Sequence, residues 1–303
     1  MAKNILITGA SGLVGSRLTE LLLQKGYHVA HLGRSRKPEK VSSYVWDVEK
    51  KQIDLEAIIN ADAIIHLAGA GVAEKRWTQK RKKEILESRT HSTAFLFQVL
   101  EKNKHHVSSI ISASAIGYYG IRDQENLLTE ESQSGTDFLA QVTRQWEEEV
   151  DKFIALNIRV AKLRIGIVLS EKGGALKSMA LPVRWGVGSP LASGHQYLSW
   201  IHIDDLCQMF IKAIEDEKMQ GAFNAVGVEP VTNKEMTQAI AKILKKPLWT
   251  PHVPDFALKL VLGEMADIVI HGNKISSQKI QKIGFTFQFT DLGQALQNLF
   301  EKK

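Results

Sequence analysis

Three glycines near the start of the chain have the spacing of a turn that binds phosphate groups. An apolar run leads into Gly9, Gly12 and Gly15, and a helical pattern follows. In such a strand–turn–helix unit the glycines permit a tight turn, a close approach to a pyrophosphate and close packing of helix on strand. The free N–H groups at the start of the helix favour an anion. We therefore predict a dinucleotide site at Gly9, Ser11, Gly12, Leu13, Val14 and Gly15.

The second predicted strand ends in a basic segment that contains Gly33, Arg34 and Ser35. An acidic residue at this point would bind the adenosine ribose and repel a 2′-phosphate, whereas an arginine accommodates the phosphate. No acid is present here, the Arg34 guanidinium can bind phosphate bidentately, and the Ser35 hydroxyl can add a hydrogen bond. The segment therefore predicts NADP rather than NAD. The alternative is a basic surface loop that contacts no ligand.

Hydroxyl groups end the strand that is predicted at 107–115. Ser112 and Ser114 are followed closely by Tyr118 and Tyr119. At the carboxyl end of a central strand these groups would lie where a substrate meets the nicotinamide. We interpret Ser114, Tyr118 and Tyr119 as catalytic and Ser112 as a cofactor contact. The alternatives are serines that cap their own backbone and, for Tyr119, a packing role.

A fourth apolar run ends in small residues that leave room for a ligand at the edge of the sheet. Ala68 and Gly69 are therefore predicted cofactor contacts. His66, inside the run, is predicted to be a hydrogen-bonded core histidine. Arg89 lies on the long helical stretch that follows, and it either reaches the cofactor or caps an end of the sheet.

The second half of the chain is less regular. A sixth strand is predicted at 158–169, and a loop rich in Gly, Pro and Ser at 181–200. Asp204 is a plausible helix N-cap, and the residues 232–235 have the pattern of a capping box.

Strand and helix patterns alternate through the first half, which is typical of an α/β protein with a doubly wound parallel sheet. We predict a Rossmann-type domain at 1–170, to which a strand at 221–226 returns. The residues 171–303 are predicted to form mainly a smaller, mostly helical substrate lobe that is interleaved with this domain.

Composition narrows the class of protein. The single cysteine excludes an intrachain disulfide and a cysteine-cluster zinc site, and no metal site is predicted. The first strand begins almost at Met1 and no apolar run has the length of a membrane span, so we expect a cytoplasmic protein without a membrane partner. The net charge of +6 comes from dispersed residues, and the cluster at 80–83 predicts a solvated helix face rather than a nucleic-acid site.

Several stretches together resemble the extended short-chain dehydrogenase/reductase superfamily. Within it they resemble the group described as the NAD-dependent epimerase/dehydratase family, with its nucleoside-diphosphate sugar epimerase-like proteins. The resemblance covers nearly the whole chain and is specific only as a set. The stretches that carry it are 9–15, 67–69, 76–78, 88–89, 112–120, 173–176 and 199–206.

The resemblance implies a Rossmann-type domain with a smaller C-terminal substrate lobe. It also implies NADP as the cofactor and Ser114 as the active-site serine. The implied cofactor contacts are the glycine turn, Gly33, Arg34, Leu67, Ala68, Glu84 and Arg89.

One departure from the superfamily pattern bears on catalysis. Members resemble one another in a Tyr-x-x-x-Lys pair on the helix after the fifth strand, where the tyrosine is the acid/base and the lysine lowers its pKa and holds the ribose. If Glu147 matches the glutamate of that helix, Leu139 and Thr143 occupy the positions of the pair. Neither residue transfers a proton at neutral pH, so the standard mechanism is in doubt.

A proton donor is then expected elsewhere, at Tyr118 or Tyr119. A phenol with a pKa near ~10 needs a cationic neighbour to work as a base at neutral pH. Arg89 and Arg144 are the candidate cations.

These observations favour an NADP-dependent oxidoreductase or epimerase with a non-standard acid/base. Its substrate would be a small molecule, with a sugar nucleotide among the candidates. The absent Tyr/Lys pair favours the alternative, a non-catalytic NADP-binding sensor or scaffold protein. The oligomeric state stays open.

Overall fold

Strands and helices alternate through the first half of the chain. The computed structural model of the protein describes residues 3–36, 41–122, 126–249 and 251–301. In chain order the elements are β1 (Asn4–Thr8), α1 (Leu13–Gln24), β2 (His28–Gly33), β3 (Ser42–Asp47), β4 (Gln52–Ile53), α2 (Glu56–Ile59), β5 (Ala63–His66), α3 (Gln79–Lys102), β6 (Ser109–Ala115), a 3-10 turn (Ile116–Tyr119), β7 (Leu127–Leu128), α4 (Phe138–Asp151), a second 3-10 turn (Lys152–Leu156), β8 (Arg159–Ile165) and β9 (Ile167–Leu169).

Helices dominate the second half. Its elements are α5 (Gly174–Arg184), β10 (Tyr197–Leu198), β11 (Trp200–His202), α6 (Ile203–Glu215), β12 (Gly221–Ala225), β13 (Val231–Thr232), α7 (Asn233–Ile243), α8 (Asp255–Leu262), a 3-10 turn (Gly263–Ala266), α9 (Asp267–Ile270), β14 (Lys274–Ile275), α10 (Gln278–Lys282) and α11 (Leu292–Glu301). No described helix has both the length and the apolar character needed to cross a membrane.

The main sheet of the described chain has eight strands in the order β12-β8-β6-β5-β1-β2-β3-β4. Neighbouring strands run parallel, except that β3 and β4 are antiparallel. Helix α1 packs with α6, and α3 packs with α4. The predicted doubly wound parallel sheet is confirmed. Its strand order reverses between β1 and β5, so the carboxyl ends of these two strands form the crevice in which such folds bind ligands.

The sixth strand is shorter than predicted because the chain leaves the main sheet at Gly166. The residues before Gly166 pair with β6 and β12, whereas the residues after it form β9 and pair with β11. A Cβ atom at Gly166 would lie 2.2 Å from the carbonyl oxygen of Ser199. Only glycine therefore allows this backbone crossing.

The predicted loop at 181–200 begins later than expected. Helix α5 continues to Arg184, with Pro182 inside it, because Leu176, Ala180 and Val183 bury one of its faces. Two short strands, β10 and β11, occupy the end of the predicted loop.

The prediction that Asp204 caps a helix is wrong. The side chain of His202 caps α6 by accepting a hydrogen bond from the Asp204 N–H at 3.1 Å. The Asp204 carboxylate instead accepts two hydrogen bonds from Arg17 of α1, at 2.6 and 3.1 Å. The pair ties α1 to α6. The predicted capping box is present at the start of α7, between Thr232 and Glu235.

His66 is the hydrogen-bonded core histidine that the sequence predicts. Its Nδ1 lies 2.8 Å from Thr8 Oγ1 and its Nε2 lies 3.1 Å from Thr93 Oγ1. The ring is fully buried, and this burial lowers the pKa of His66 to about 4. The neutral ring therefore links β1, β5 and α3 at neutral pH.

The His66 pKa makes stability depend on pH. Unfolded histidine titrates near pH ~6.5, so the contribution of the neutral ring is complete above that pH and is lost as the pH falls towards about 4. We expect the wild type to lose about 3 kcal/mol more unfolding free energy than His66→Gln between pH 7 and pH 4, from the size of the pKa shift. Urea unfolding of both proteins at several pH values measures the difference. Parallel pH profiles would contradict the assignment.

Candidate cofactor and substrate site

The turn between β1 and α1 is held close to the end of β5. Gly9 has a φ of +67°, and a Cβ atom there would lie 2.7 Å from the carbonyl oxygen of Leu67. Gly15 is buried, and a Cβ there would lie 2.6 Å from Ala10 Cα. Glycine is thus required at both positions for this approach.

The turn presents backbone donors at the crevice. Gly12 is the N-cap of α1, and no side chain caps the helix. The first N–H groups of a helix have no intrahelical acceptor, so those of Leu13 and Val14 remain available to a ligand. Ser11 and Gly12 are exposed. This donor set fits the diphosphate of a dinucleotide, which binds at helix N-termini in this way.

The end of β5 is fixed by a buried threonine of β1. Thr8 Oγ1 accepts hydrogen bonds from the N–H groups of Leu67 at 3.1 Å and Ala68 at 3.2 Å. Because these two amides are already bonded, Leu67 and Ala68 offer a ligand their side chains and carbonyl groups. Gly69 is exposed beside them.

Arg34 and Ser35 lie directly after β2 and are exposed. Gly33 is the last residue of that strand. Within the described residues Arg34 forms no ion pair, whereas the neighbouring Arg36 pairs with Asp54 at 3.2 Å. An exposed guanidinium at this strand end fits a 2′-phosphate.

The serines at the end of β6 have protein partners. Ser112 Oγ donates to the carbonyl oxygen of Ala113 at 2.8 Å, and Ser114 Oγ donates to Glu147 Oε1 at 2.6 Å. Both serines are buried. Because a hydroxyl has one proton, Ser114 does not offer a hydrogen bond to a substrate oxyanion in this arrangement. The contact of Ser114 in the structure is thus to Glu147, and its predicted catalytic role stays a prediction.

Glu147 and Arg164 form a buried ion pair beneath the end of β6. Arg164 Nε donates to Glu147 Oε1 at 2.8 Å and Nη2 donates to Oε2 at 2.9 Å. Burial alone would raise the pKa of Glu147, but the hydrogen bonds from Arg164 and Ser114 outweigh it and hold the pKa below its usual range. Lys162 adds positive charge, with its Nζ 3.7 Å from Glu147 Oε2.

Arg164 was not among the residues predicted from the sequence. Its signal was the two-residue spacing of Lys162 and Arg164 among apolar residues of β8, which places both cations on one face of the sheet.

The two tyrosines after β6 have different environments. Tyr119 is fully buried, and its hydroxyl donates to Asn224 Oδ1 at 2.6 Å and accepts from Arg164 at 3.1 Å. Burial raises the pKa of Tyr119 to about 12 despite the Arg164 charge. Tyr118 is half-buried, and the Arg164 guanidinium lies 3.4 Å from the centre of its ring. Tyr119 therefore belongs to the core, and Tyr118 is the more accessible phenol.

Helix α4 turns Leu139 and Thr143 towards the end of β6. A Cβ atom at Gly117 would lie 3.3 Å from Leu139 Cβ and 3.6 Å from Thr143 Oγ1. Thr143 is buried and donates to the Leu139 carbonyl oxygen at 2.8 Å. These two residues thus occupy the face of α4 next to the 3-10 turn 116–119. Neither of them supplies a cation, and neither supplies a proton donor for a substrate.

The two predicted contacts on α3 differ in their partners. Glu84 is exposed and pairs with Arg81 at 2.8 Å. Arg89 is half-buried, donates to the carbonyl oxygen of Ile85 at 2.8 Å, and lies 5.2 Å from the centre of the Trp146 ring. Burial, together with the Arg81 charge, lowers the pKa of Arg89 to about 10.

A cavity of about 460 Å³ opens beside the glycine turn. Its far wall is the segment after β9, and Leu13 of α1 contacts Gly174 there. The sequence did not predict this wall, because 160 residues separate it from the turn. The residues that line the cavity include Ser11, Gly12, Leu13, Lys172, Gly173 and Asn298.

Comparison with known families agrees with this geometry. The NAD dependent epimerase/dehydratase family matches residues 5–226, and a domain of unknown function, DUF1731, matches residues 253–299. The chain belongs to the NAD-dependent epimerase/dehydratase family. It is 35% identical over 298 residues to the epimerase family protein YfhF of Bacillus subtilis, which covers 98% of this chain and 97% of that protein. It is 34% identical to the chloroplastic SDR39U1 homolog of Arabidopsis thaliana, over 97% of this chain and 86% of that protein.

Two solved structures are similar over nearly the whole chain. The human epimerase family protein SDR39U1, solved with NADPH, has a TM-score of 0.88 and 27% identity, and the match covers 99% of this chain and 100% of that one. A nucleoside-diphosphate sugar epimerase from Corynebacterium glutamicum has a TM-score of 0.81 and 31% identity, with 99% of this chain and 58% of that one covered.

The exposed Arg34 gives the first binding prediction. In Arg34→Ala we expect NADPH affinity to fall about tenfold or more and NADH affinity to stay nearly constant, because a charge-assisted phosphate contact contributes about 1.5–3 kcal/mol. Nicotinamide fluorescence titrations measure both affinities. Arg36→Ala is the matched control, since Arg36 is paired with Asp54. An unchanged NADPH to NADH ratio in Arg34→Ala would refute the contact.

Proposed function

We propose that this protein binds NADPH and catalyses an NADP-dependent oxidation–reduction or epimerisation of a small molecule. The observation that carries the proposal is the glycine turn, with free helix N–H groups at one end of the crevice and Arg34 at the end of β2. The NADPH-bound human relative supports the choice of cofactor.

The two candidate arginines lie on opposite sides of β1. Arg34 follows β2, whereas Arg89 lies against Gly69 after β5, where a Cβ atom would be 3.1 Å from Arg89 Cζ. In the described part of the chain no carboxylate lies within ion-pair distance of Arg89. The adenosine half of a dinucleotide lies beside the second strand of such a sheet. We therefore assign Arg34 to the adenosine half of NADPH and Arg89 to the nicotinamide half.

This assignment predicts that Arg89→Ala and Arg34→Ala affect ligand binding differently. We expect Arg89→Ala to weaken NADPH binding about tenfold and to leave the binding of adenosine 2′,5′-bisphosphate unchanged, because that fragment lacks the nicotinamide half. Arg34→Ala should weaken the binding of both. Calorimetric titrations of the two ligands test this.

Arg144→Ala is the control, since Arg144 is exposed and faces Glu148 at 3.7 Å. Equal losses for both ligands in Arg89→Ala would contradict the assignment to one half of the cofactor.

Tyr118 is the proton donor that the geometry supports best. When bound, NADPH supplies a hydride to a carbonyl carbon. The Tyr118 hydroxyl would donate its proton to the carbonyl oxygen, and the Arg164 guanidinium against the ring would stabilise the phenolate that remains. Glu147 keeps this guanidinium in place from below.

The substrate class is a carbonyl compound or alcohol, and sugar nucleotides are the first compounds to examine. The support is the similarity to the Corynebacterium glutamicum protein, which is named a nucleoside-diphosphate sugar epimerase.

A second candidate function is an NADP-binding protein without turnover. It is favoured by Leu139 and Thr143, which face Gly117 in the place of a proton donor and a cation.

Turnover in a tyrosine variant distinguishes the two functions. We expect Tyr118→Phe to lower kcat at least 100-fold, the lower end of the range for general acid catalysis, with NADPH affinity unchanged. NADPH oxidation with a panel of aldehydes, ketones and nucleoside-diphosphate keto-sugars measures kcat. Tyr119→Phe is the control, because loss of its hydrogen bond to Asn224 should lower stability by about 1–3 kcal/mol instead.

Full turnover in Tyr118→Phe would remove Tyr118 from the mechanism. NADPH binding without turnover on any carbonyl of the panel would favour the non-catalytic function.

A further inference from the structure

The most exposed apolar side chains of the described chain all belong to the C-terminal half. Trp185, Trp249, Phe256, Leu260 and Val261 are each 71–77% exposed, and no other large apolar side chain in the described residues exceeds 55%. Leu181 and Val187, which lie close to Trp185 in sequence, are each 55% exposed. We call this set the apolar face: Leu181, Trp185, Val187, Trp249, Phe256, Leu260 and Val261.

Backbone contacts hold the two segments of the apolar face side by side. Leu191 and Val253 form a parallel bridge, and the Val253 N–H donates to the carbonyl oxygen of Pro190 at 3.0 Å. A Cβ atom at Gly188 would lie 3.1 Å from Leu248 Cδ2. The two exposed tryptophans, Trp185 and Trp249, are next to these contacts in sequence.

One side of α8 packs against the protein, and most of the rest of the helix surface is exposed to solvent. Leu258 is buried in a small cluster with Ala192, Ala266 and Ile270. Phe256, Leu260 and Val261 are each at least 71% exposed, so nothing in the described chain covers them. Large exposed apolar side chains on neighbouring segments of a folded chain mark a candidate interaction site.

The charged residues around the apolar face are mainly positive, which favours an anionic partner. Arg184, Lys245, Lys246 and Lys259 are exposed in or beside the segments 181–187 and 249–261. Asp255 is the one acidic residue within those segments, and the exposed Glu264 beyond them is paired with Lys82. A second copy of the chain would bring like charges together across a shared face. An anionic surface gains electrostatic attraction and apolar burial at the same contact.

The exposure of the apolar side chains favours a lipid surface over a protein partner. Side chains that are more than 70% exposed project from the protein instead of lining a groove. Protein partners bind anchors of this kind in complementary pockets, whereas a lipid interface accepts projecting tryptophan, phenylalanine and leucine directly. Tryptophan and lysine beside one another are typical of residues at the headgroup level.

From these observations we infer that the apolar face is a peripheral docking site for anionic phospholipid membranes. The tryptophans and the outer side of α8 enter the interface, and the lysines contact the lipid phosphates. This inference is independent of the proposed function. It departs from the sequence-based expectation of no membrane partner, because that expectation rested on membrane-spanning runs and a peripheral site requires none.

Vesicle co-sedimentation of the full chain tests the site. We expect binding to phosphatidylcholine vesicles that contain phosphatidylglycerol, weak binding to phosphatidylcholine alone, and a blue shift of tryptophan fluorescence on binding. Trp185→Ser with Trp249→Ser should reduce partitioning about tenfold or more, and so should Lys245→Glu with Lys246→Glu. The control is Leu55→Ser with Ile59→Ser, which removes exposed apolar side chains near α2 and should bind as the wild type does.

Three outcomes would overturn the inference. Equal partitioning of the wild type onto both vesicle types would exclude recognition of anionic lipid. An equal loss in the Leu55/Ile59 control would show that the effect is not specific to the apolar face. Absence of vesicle binding, with a dimer in sedimentation velocity that the tryptophan variant dissociates, would make the face a contact between copies. Melting curves by circular dichroism establish that each variant is folded.

Discussion

The candidate catalytic site depends on the buried ion pair between Glu147 and Arg164. The pair joins α4 to β8 through two hydrogen bonds, and both side chains are at least nine-tenths buried. Removing one partner would leave an uncompensated charge in the interior, at a cost of about 3–5 kcal/mol. Ser114 donates to the same carboxylate, and the same guanidinium contacts Tyr118. One pair therefore fixes the end of β6 and the turn after it.

This arrangement explains how a site can persist without a Tyr/Lys pair on α4. The face of α4 that carries Leu139 and Thr143 packs tightly on Gly117, so that face positions the turn. The turn carries Tyr118, and the Arg164 guanidinium of β8 lies against the Tyr118 ring. In the proposed mechanism the acid and the cation thus come from neighbouring parallel strands instead of from one helix, at the edge where such sheets bind ligands.

Features that depend on local contacts were predictable from the sequence, and features that depend on register were not. The glycine turn and the capping box at Thr232 involve residues a few positions apart, so their residue types define them. Ser114 and Arg164 both donate to Glu147 because they lie opposite each other on the neighbouring strands β6 and β8. Apolar periodicity identifies strands but does not fix which residues lie opposite each other, so this pairing was missed. The break at Gly166 depends in the same way on a distant residue, Ser199.

The apolar face also depends on contacts between segments that are distant in sequence. Its segments 181–187 and 249–261 are each short and mixed in character, and the bridge between Leu191 and Val253 links the chain that follows the first segment to the second. Helix α8 is also linked to the chain around the start of α3, because Arg76 donates to the Leu260 carbonyl oxygen and Lys82 pairs with Glu264. Helix α3 carries Arg89 further along. The cofactor side of the crevice and the apolar face are therefore both connected to α3, although they use different residues and different chemistry.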